Sequence, residues 1–379
     1  MPTSTPLSRL HVAIDCRVVS PRFPGIGRAT LETVRALAAH EGGPRLSLLV
    51  DAREPQPALY DLAGMRVRLI PMATAMRSPA DQWTLPLLLR RLRPDIYHSP
   101  YYAIPALLPG RVVLTVHDLI PRLFPAYWPN PAVRRLIDAW TSYALWRADR
   151  LVAVSETTAR DVARLSPRVA GKVRVVRSGV SPRDAGVRHT EAVRTAADGA
   201  PYLLYVGSNK PHKNLPRLVD AFARLLRETE TPGNLVIAGA WDPRYPEAAD
   251  AVRRHGLARR VSFEHRPSDE RLDALYAGAR GFVFPSLYEG FGLPVLEAMA
   301  AGLPVATSAR GSLAEVAGDA ALLFDPEDED AMRAALHRLL RDDALRAALA
   351  AAGLARARLF PWSRTAAETC AVYAELAAR

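Results

Sequence analysis

The sequence contains two cysteines and three lysines, and it has no long hydrophobic run. Cys16 and Cys370 lie far apart in the chain, which argues against a disulfide framework and predicts reduced, buried thiols. No stretch approaches the ~18 to 20 consecutive apolar residues that a membrane-spanning helix needs. The opening residues, MPTSTPLSRLHVAID, lead into a predicted strand without the apolar core of a signal peptide. We therefore expect a cytoplasmic protein.

The near absence of lysine makes the distribution of positive charge informative. Of the 50 cationic residues, 47 are arginine. Residues 1–200 carry 28 basic against 16 acidic side chains, whereas residues 201–379 carry 22 against 23. This asymmetry predicts an acidic partner for the first half, such as an anionic membrane or a phosphorylated acceptor. No nucleic-acid-binding signature accompanies it, so we expect no nucleic acid partner. A scattered, solvated basic surface is the alternative.

The chain length and the order of its patterns predict two domains. At 379 residues, with 49% hydrophobic and 23% charged residues, the chain can form two α/β domains, each with its own core. Strand and helix patterns alternate without interruption, which favours doubly wound parallel sheets. Residues 183–199 lose the apolar period and read as a connection. We predict domains at residues 1–199 and 200–359, followed by a terminal helical segment at 360–379.

The most informative stretch is GFVFPSLYEGFGLPVLEAMAAGLPVA, at residues 281–306. An apolar strand leads into a glycine-bearing loop and then into a helix, whose first amides point at whatever lies before them. Gly290 and Gly292 leave room for close approach of a ligand, so the loop predicts an anion site. Glu289 on the loop and Glu297 in the helix would repel an anion, and we expect them to bind neutral hydroxyls of the same ligand. A nucleotide sugar has both kinds of group.

Glu289 and Glu297, with GFGLPVL between them and EAMAAGLPV following, resemble the signature of glycosyltransferase family 4. The resemblance implies a retaining enzyme with the GT-B fold, in which two Rossmann-like α/β domains with doubly wound parallel sheets face a cleft. It assigns the acceptor to the first domain and the nucleotide sugar to the second, and it implies that the terminal helix of residues 360–379 crosses back to the first domain. It assigns the donor sugar to Glu289 and the ribose to Glu297. It assigns the sugar and diphosphate to the loop backbone of four residues: Gly290, Phe291, Gly292 and Leu293.

Two of the three lysines lie in one loop, after the predicted strand YLLYV at residues 202–206. A compact ammonium group near a departing diphosphate neutralises the developing charge. The family resemblance implies that Lys213 contacts the diphosphate. Many members carry an arginine in this loop, where this chain has Ser208, Lys210 and His212, so the second positive contact is open. Asn214 is predicted to cap a helix at residues 215–228.

In the first half, RVVLTV at residues 111–116 is a predicted buried strand, and His117 falls at its carboxyl end, where parallel sheets bind ligands. The V-H-D motif resembles that of the family, which implies an active-site role for His117. GIGRATLETVRALAAH, at residues 25–40, reads as a glycine turn entering a helix. The resemblance implies that the loop containing Gly27 faces the donor. A dinucleotide-binding loop, with Asp51 as the ribose acid, is an alternative, but it would follow its strand directly.

Three further patterns have alternative interpretations. The helix predicted at residues 81–95 combines leucines with arginines, which suits either a membrane surface or, as we favour, a core-facing helix with a solvated edge. The aromatics of residues 130–147 are interpreted as core packing.

Asp328 and Asp330 form a D-x-D pair at the start of the alanine-rich helix predicted from Met332 to Gly353. Acids suit a helix N-terminus, so we predict no metal site.

The sequence predicts a retaining hexosyltransferase that needs no cofactor. Catalytic residues are Glu289, His117 and Lys213. LYVGSNKPHKNLPRLVDAFARL and VHDLIPRLFPAYW most resemble bacterial mannosyl- and rhamnosyltransferases of surface polysaccharide assembly. We therefore expect GDP-mannose as donor, a glycan or lipid-diphosphate-linked acceptor, and peripheral contact with the inner face of the membrane through the basic first domain. The alternatives are a nucleotide-sugar epimerase or hydrolase of the same fold, or an NAD-dependent dehydrogenase.

Overall fold

The chain divides into two compact units. A computed structural model describes residues 6–54, 56–64, 66–102, 104–128, 130–182, 201–230 and 233–378. Unit 1 comprises residues 1–179 together with 360–379, and unit 2 comprises residues 180–359. The connection predicted at residues 183–199, and with it the predicted boundary at residue 200, lies outside the described residues.

Unit 1 is built on a parallel sheet whose strands alternate buried side chains between two helical layers. Its strands are β1 (His11–Asp15), β2 (Arg45–Asp51), β3 (Val67–Met72), β4 (Ile96–Ser99), β5 (Arg111–Val116), β6 (Arg150–Ala153) and β7 (Val173–Val175). Within the described residues, their order is β3-β2-β1-β4-β5-β6-β7. The strand order therefore reverses between β1 and β4, and the loops after these strands mark the ligand-binding edge of such a sheet.

Helices cover both faces of this sheet. They are α1 (Pro24–Ala39), α2 (Pro57–Tyr60), α3 (Asp81–Leu92), α4 (Ile120–Leu123), α5 (Pro131–Arg147), α6 (Glu156–Leu165) and, from the end of the chain, α14 (Trp362–Ala377). Helix α14 packs beside α1, and Cys370 and Tyr373 join the same core as Val12 and Ile14 of β1. Both cysteines are free and buried.

Unit 2 repeats the architecture with a six-stranded parallel sheet. Its strands are β8 (Tyr202–Val206), β9 (Asn234–Gly239), β10 (Val261–His265), β11 (Gly281–Phe284), β12 (Val305–Ser308) and β13 (Leu322–Phe324). Their order within the described residues is β10-β9-β8-β11-β12-β13, so the strand order reverses between β8 and β11. The loop that carries Lys210 and Lys213, here called the lysine loop (residues 207–214), follows β8. The loop that carries Glu289, here called the glutamate loop (residues 285–292), follows β11. Both predicted loops therefore meet at the reversal point of the sheet.

The helices of unit 2 include one break that the sequence analysis missed. They are α7 (Leu215–Glu228), α8 (Glu247–Arg254), α9 (Asp269–Gly278), α10 (Leu293–Ala300), α11 (Ser312–Ala317), α12 (Glu329–Arg341) and α13 (Asp343–Ala357). The single alanine-rich helix that we predicted is wrong, because it breaks at Asp342. This residue leaves the helical region, and its carboxylate accepts a hydrogen bond from the Leu345 amide, which caps α13. Asp328 caps α12 in the same way, through the Ala331 amide.

Helix α1 begins at Pro24, before the glycine turn that the sequence predicts. Pro24 occupies its first turn, where a missing N–H group is harmless, so Gly25 and Gly27 lie inside the helix rather than in a turn before it. A Cβ atom at Gly27 would lie 2.7 Å from the Val18 carbonyl oxygen. The glycine therefore permits the close approach of α1 to the segment after β1.

Among the described residues, no helix combines the length and hydrophobicity needed to cross a bilayer.

Candidate functional site

The lysine loop and the glutamate loop of unit 2 are joined by an ion pair. Lys213 Nζ lies 2.6 Å from Glu289 Oε1, and the two side chains are 14% and 11% exposed. The ammonium group also lies over the Phe284 ring, 5.2 Å from its centroid. The Leu287 amide donates a hydrogen bond of 2.7 Å to the His212 carbonyl, which holds the backbones of the two loops together. These contacts place one cation and one carboxylate at the reversal point of the sheet.

Backbone geometry shapes the glutamate loop before α10. Gly292 adopts φ +104, a conformation that other residues rarely adopt, and α10 starts at the next residue. Gly290 and Phe291 are buried, whereas Leu293 is half-buried. The first-turn amides of a helix lack partners within the helix and attract anions. The loop thus has the local geometry that the sequence predicts for an anion site.

The second glutamate lies in α10 and is held by a tyrosine of α9. Glu297 is 7% exposed, and its carboxylate accepts a hydrogen bond of 3.2 Å from the Tyr276 hydroxyl. Ser312 Oγ donates to the Glu289 carbonyl at 2.8 Å and fixes the loop on the opposite side. Buried carboxylates that are oriented in this way are suited to binding sugar hydroxyl groups.

The remaining polar residues of the lysine loop have different environments. Lys210 is exposed, whereas Ser208 is half-buried and accepts a hydrogen bond from the Tyr205 hydroxyl through its carbonyl. Asn209, which the sequence analysis did not select, donates to the carbonyls of Asp242 and Tyr245 and accepts from the Asp242 amide. Asn209 therefore fixes the loop that follows β9.

The predicted capping role of Asn214 is wrong. Its side chain makes no cap hydrogen bond to α7. Instead, the Asn214 amide group donates to the carbonyls of Pro285 and Pro326, which belong to the loops after β11 and β13. Asn214 has φ +60, which asparagine tolerates better than most residues, and this conformation turns its side chain towards those loops. It ties three loops of the site together.

A pocket of about 370 Å³ opens at the carboxyl ends of β8, β9 and β10. Trp241 and Phe263 form one aromatic side, with ring centroids 4.9 Å apart. At its base, Gly207 and Gly239 are in such close contact that a Cβ atom on Gly239 would lie 2.1 Å from the Gly207 carbonyl oxygen. The lining residues are Gly207, Asn209, Leu215, Ile237, Ala238, Gly239, Ala240, Trp241, Pro243, Phe263, Glu264 and His265. The pocket has the size and aromatic character of a site for a planar ring.

In unit 1, His117 lies at the carboxyl end of β5, as the sequence predicts. Its Nε2 atom is buried and has no hydrogen-bond partner among the described residues. His117 lines a small cavity, of about 40 Å³, with Thr30, Ser178 and Thr369. A polar cavity of this size accommodates a water molecule. The neighbouring His98 is bound by the hydroxyls of Tyr373 and Thr115, at 2.6 and 2.8 Å.

Burial keeps both histidines neutral. It lowers the pKa of His98 to about 3, with the nearby His117 as a second cause, and it lowers the pKa of His117 to about 4. A protonated imidazole at either position would lose its hydration without gaining a carboxylate partner among the contacts described here. His117 therefore offers neutral imidazole chemistry, in which hydrogen bonding rather than charge acts on a ligand.

These lowered pKa values predict that acid destabilises unit 1. The unfolded chain takes up protons at histidine below about pH 6.5, whereas the folded protein does so only near the lowered pKa values, so stability falls as the pH falls from about 6.5. The expected slope is about 1.4 kcal/mol per pH unit for each histidine. His98→Gln should reduce the loss of unfolding free energy between about pH 5.5 and 4.5, where the unfolded histidine is almost fully protonated, by this amount, as measured by urea denaturation. Equal slopes in both proteins would contradict the assignment.

A buried ion-pair network that joins the end of β1 to the start of α3 was not recognised from the sequence. The Arg17 guanidinium binds Asp15 at 2.6 Å and Asp81 at 2.7 Å, and all three residues are at most 4% exposed. The Tyr97 hydroxyl donates to Asp15 at 3.0 Å. Because these residues come from three separate segments, the network fixes the loops at the ligand-binding edge of the unit 1 sheet. Asp51, the ribose acid of the dinucleotide alternative, binds Arg53 at 2.6 Å.

Comparisons with known proteins agree with this arrangement. The model of "Glycosyltransferase Family 4" matches residues 24–184, and that of "Glycosyl transferases group 1" matches residues 188–356. O-antigen chain mannosyltransferase B of Escherichia coli is 35% identical over 92% of this chain and 95% of its own. Serotype-specific mannosyltransferase WbdA of the same species is 30% identical over 94% of this chain, which spans about half of that relative (47%). A solved sucrose-phosphate synthase from Thermosynechococcus elongatus shares the fold with a TM-score of 0.74, at 22% identity over 97% of this chain and 99% of its own.

Proposed function

The chain belongs to glycosyltransferase family 4 and has the two-domain GT-B fold of a polysaccharide-synthesising glycosyltransferase, and from this premise we propose that it transfers mannose from GDP-mannose with retention of the anomeric configuration. The ion pair between Lys213 and Glu289 carries the proposal. It combines a cation suited to a diphosphate with a carboxylate suited to a sugar. The mannosyltransferase names of two relatives support the choice of sugar.

Lys213 acts on the leaving group in this proposal. When the donor binds, its diphosphate replaces Glu289 as the partner of the ammonium group, and the released carboxylate binds hydroxyls of the sugar. The backbone of Gly290 to Leu293 and the exposed Lys210 add to the neutralisation of the diphosphate. Charge neutralisation by these groups requires no metal ion or other cofactor.

The nucleoside is assigned to the neighbouring elements of unit 2. Glu297 accepts hydrogen bonds from the ribose hydroxyls, and the base occupies the pocket lined by Trp241 and Phe263. Ser208 borders the diphosphate. Glu264 also lines this pocket; Arg271 binds one of its carboxylate oxygens, and the other oxygen can accept a hydrogen bond from the N1 or amino group of guanine. This chemistry supports a guanine nucleotide.

Retention is proposed to occur by attack on the face that the diphosphate leaves. In the donor complex proposed here the Glu289 carboxylate accepts hydrogen bonds from sugar hydroxyls, and the Glu297 carboxylate is bound by the Tyr276 hydroxyl. Neither carboxylate has the environment of a nucleophile that would form a glycosyl-enzyme bond. The departing phosphate then removes the acceptor proton. His117 is assigned as a neutral hydrogen-bonding group of unit 1, and Gly27, which lies in the first turn of α1 and not in a loop, as a residue that faces the donor.

The acceptor is proposed to be a glycan or a lipid-diphosphate-linked oligosaccharide. The positive charge concentrated in residues 1–200 supports an acceptor that carries phosphate and lies at an anionic membrane surface. The protein would then act at the inner face of the cell membrane, in peripheral contact with it.

Thermal stabilisation by nucleotides tests the donor site. GDP at about 100 times its Kd should stabilise the wild type by about 2.7 kcal/mol, and more strongly than UDP, dTDP or nicotinamide nucleotides do. Glu297→Ala should weaken GDP affinity by about 10- to 100-fold, because it removes a charged hydrogen-bond acceptor from the ribose. Glu247→Ala, at an exposed position on α8, is the matched control and should leave the affinity unchanged.

Other outcomes of this measurement count against specific parts of the proposal. Stabilisation by UDP alone would overturn the guanine assignment and leave the donor site in place. A response to nicotinamide nucleotides, with none to any nucleoside diphosphate, would contradict the transferase proposal as a whole.

A further inference from the structure

Unit 1 exposes an apolar surface that its own fold does not cover. Trp83 and Leu87, one turn apart on α3, are 67% and 50% exposed, and Trp146 on α5 is 63% exposed. Single exposed apolar residues are common on soluble proteins, but contiguous groups of them mark interaction sites. Among the described residues, the large hydrophobic side chains exposed on these two helices and on the loop between β4 and β5 are Trp83, Leu87, Leu107, Val133, Leu136 and Trp146.

Hydrogen bonds show that these elements form one continuous surface. The Ala106 amide donates to Gln82 Oε1 of α3 at 3.0 Å, and the Tyr143 hydroxyl of α5 donates to the Ala106 carbonyl. Arg147 of α5 binds the carbonyls of Leu108 and Gly110. The loop carrying Leu107 is therefore fixed between the two helices.

Helix α5 differs from the core helix that its aromatics suggest. Residues 131–136 are all exposed, so its first turns pack against little of the described chain. Trp140, Tyr143 and Trp146 follow each other along the helix, with successive ring centroids 6.2 and 6.0 Å apart. An aromatic row that ends in exposed Trp146 is typical of a surface between water and an apolar medium.

Four arginines accompany these apolar groups. Arg90 and Arg91 end α3, and Arg134 and Arg135 lie in the exposed first turns of α5. None of the four has a carboxylate partner within the described part of the chain. The acids of α5 and its end, Asp138 and Asp149, lie 3.7 and 3.6 Å from Arg122 and Arg147. The surface is therefore apolar with unpaired positive charge.

We propose that this arginine–aromatic face, made of the six apolar residues above with Arg90, Arg91, Arg134 and Arg135, docks on an anionic lipid bilayer. Tryptophan rings partition into the headgroup region, and each arginine near the surface contributes about 1 kcal/mol of attraction to anionic lipid. A symmetric contact with a second copy would place the same arginines opposite each other and is disfavoured. The inference rests on the proposed function for its purpose, access to a lipid-linked acceptor, but vesicle binding itself requires no donor or transfer.

Co-sedimentation of the full chain with lipid vesicles tests the inference. The wild type should bind phosphatidylcholine–phosphatidylglycerol vesicles and bind pure phosphatidylcholine weakly. The aromatic variant Trp83→Ala/Leu87→Ala/Trp146→Ala should bind the mixed vesicles about tenfold or more weakly, also at high salt. The variant Arg90→Ala/Arg91→Ala should bind about fivefold more weakly per arginine at low salt, with the difference shrinking as salt rises.

Control variants remove equally exposed groups elsewhere. Tyr60→Ala in unit 1, Leu359→Ala and Arg253→Ala should bind vesicles like the wild type. All variants should keep the thermal midpoint and the GDP response of the wild type, because the exchanged side chains are exposed. The GDP response separates the two proposals. GDP can fail to stabilise the protein while vesicle binding follows the expected pattern, and vesicle binding can fail while GDP stabilises the protein.

Three results would overturn the inference. The first is equal vesicle binding by the wild type and both face variants, and the second is equal binding to neutral and anionic vesicles. The third is a wild type that binds no vesicles but forms a dimer that the aromatic variant loses, because the face would then be a contact between copies of the chain.

Discussion

Lys213→Met is expected to lower kcat for sugar transfer by a factor of about 10² to 10³, because it removes the cation that stabilises charge on the departing diphosphate. Met has a similar length and no charge, so the loop can keep its shape. Lys213→Arg should retain more activity, since it keeps the charge but adds a planar group that demands a different geometry. Initial rates of mannosyl transfer from GDP-mannose measure both effects.

A double variant separates this loss from a loss of structure. Lys213→Met leaves the Glu289 carboxylate, 11% exposed, without its ion-pair partner, and this alone destabilises the loop. Lys213→Met/Glu289→Gln removes both charges and should recover the thermal midpoint. The double variant should remain inactive, because both side chains act on the donor and restoring the charge balance replaces neither of them. The activity losses of the two single variants are therefore not expected to add. Recovery of transfer in the double variant would show that Lys213 acts only by neutralising Glu289.

Gly239→Ala is expected to destabilise unit 2 by about 3 to 5 kcal/mol and to abolish nucleotide binding. A Cβ atom there would lie 2.1 Å from the Gly207 carbonyl oxygen and 2.8 Å from the Gly207 carbonyl carbon. Gly239 also has φ +140, which an L-residue rarely adopts. Because backbone atoms cannot rotate away as a side chain does, the ends of β8 and β9 must separate, and this opens the base of the pocket.

Gly256→Ala is the matched control for this stability measurement. Gly256 also lies in unit 2 and has φ +66, but a Cβ atom there would meet no described atom within 4 Å. Its substitution should cost about 1 kcal/mol, from backbone strain alone. Thermal denaturation with and without GDP compares the two variants. Equal midpoints would show that the contact between Gly207 and Gly239 is relieved without loss of stability.

The parts of the fold that were predictable from sequence depend on local periodicity. Apolar runs such as HVAID and YLLYV become buried parallel strands, and residues 215–228 form a helix as predicted. The loops carrying Lys213 and Glu289 were placed at strand ends by the same reasoning. Their contact at 2.6 Å could be expected only from the family resemblance, because no local pattern reports the strand order β8-β11.

Features that depend on contacts between distant segments could not be predicted. The side chain of Asn214 has the chemistry of a helix cap, yet its partners are the carbonyls of Pro285 and Pro326, which lie 71 and 112 residues away along the chain. No sequence pattern distinguishes Arg17 from the other arginines among the 47 in the chain. Its burial between Asp15 and Asp81 depends on the packing of α3. The aromatic residues of α5 have the same helical spacing whether they are buried or exposed, so the sequence does not show whether a neighbouring element covers them.

The position of α14 in unit 1 has a consequence for how the protein is made. Tyr373 and Cys370 belong to the core of unit 1, and the Tyr373 hydroxyl binds His98, yet the ribosome adds these residues only after the whole of unit 2. Unit 2, which is one continuous segment, can complete its core during synthesis. Unit 1 must keep a hydrophobic groove beside α1 uncovered until α14 leaves the exit tunnel. We therefore expect chaperone binding to matter most while the first half of the chain has been synthesised and α14 has not.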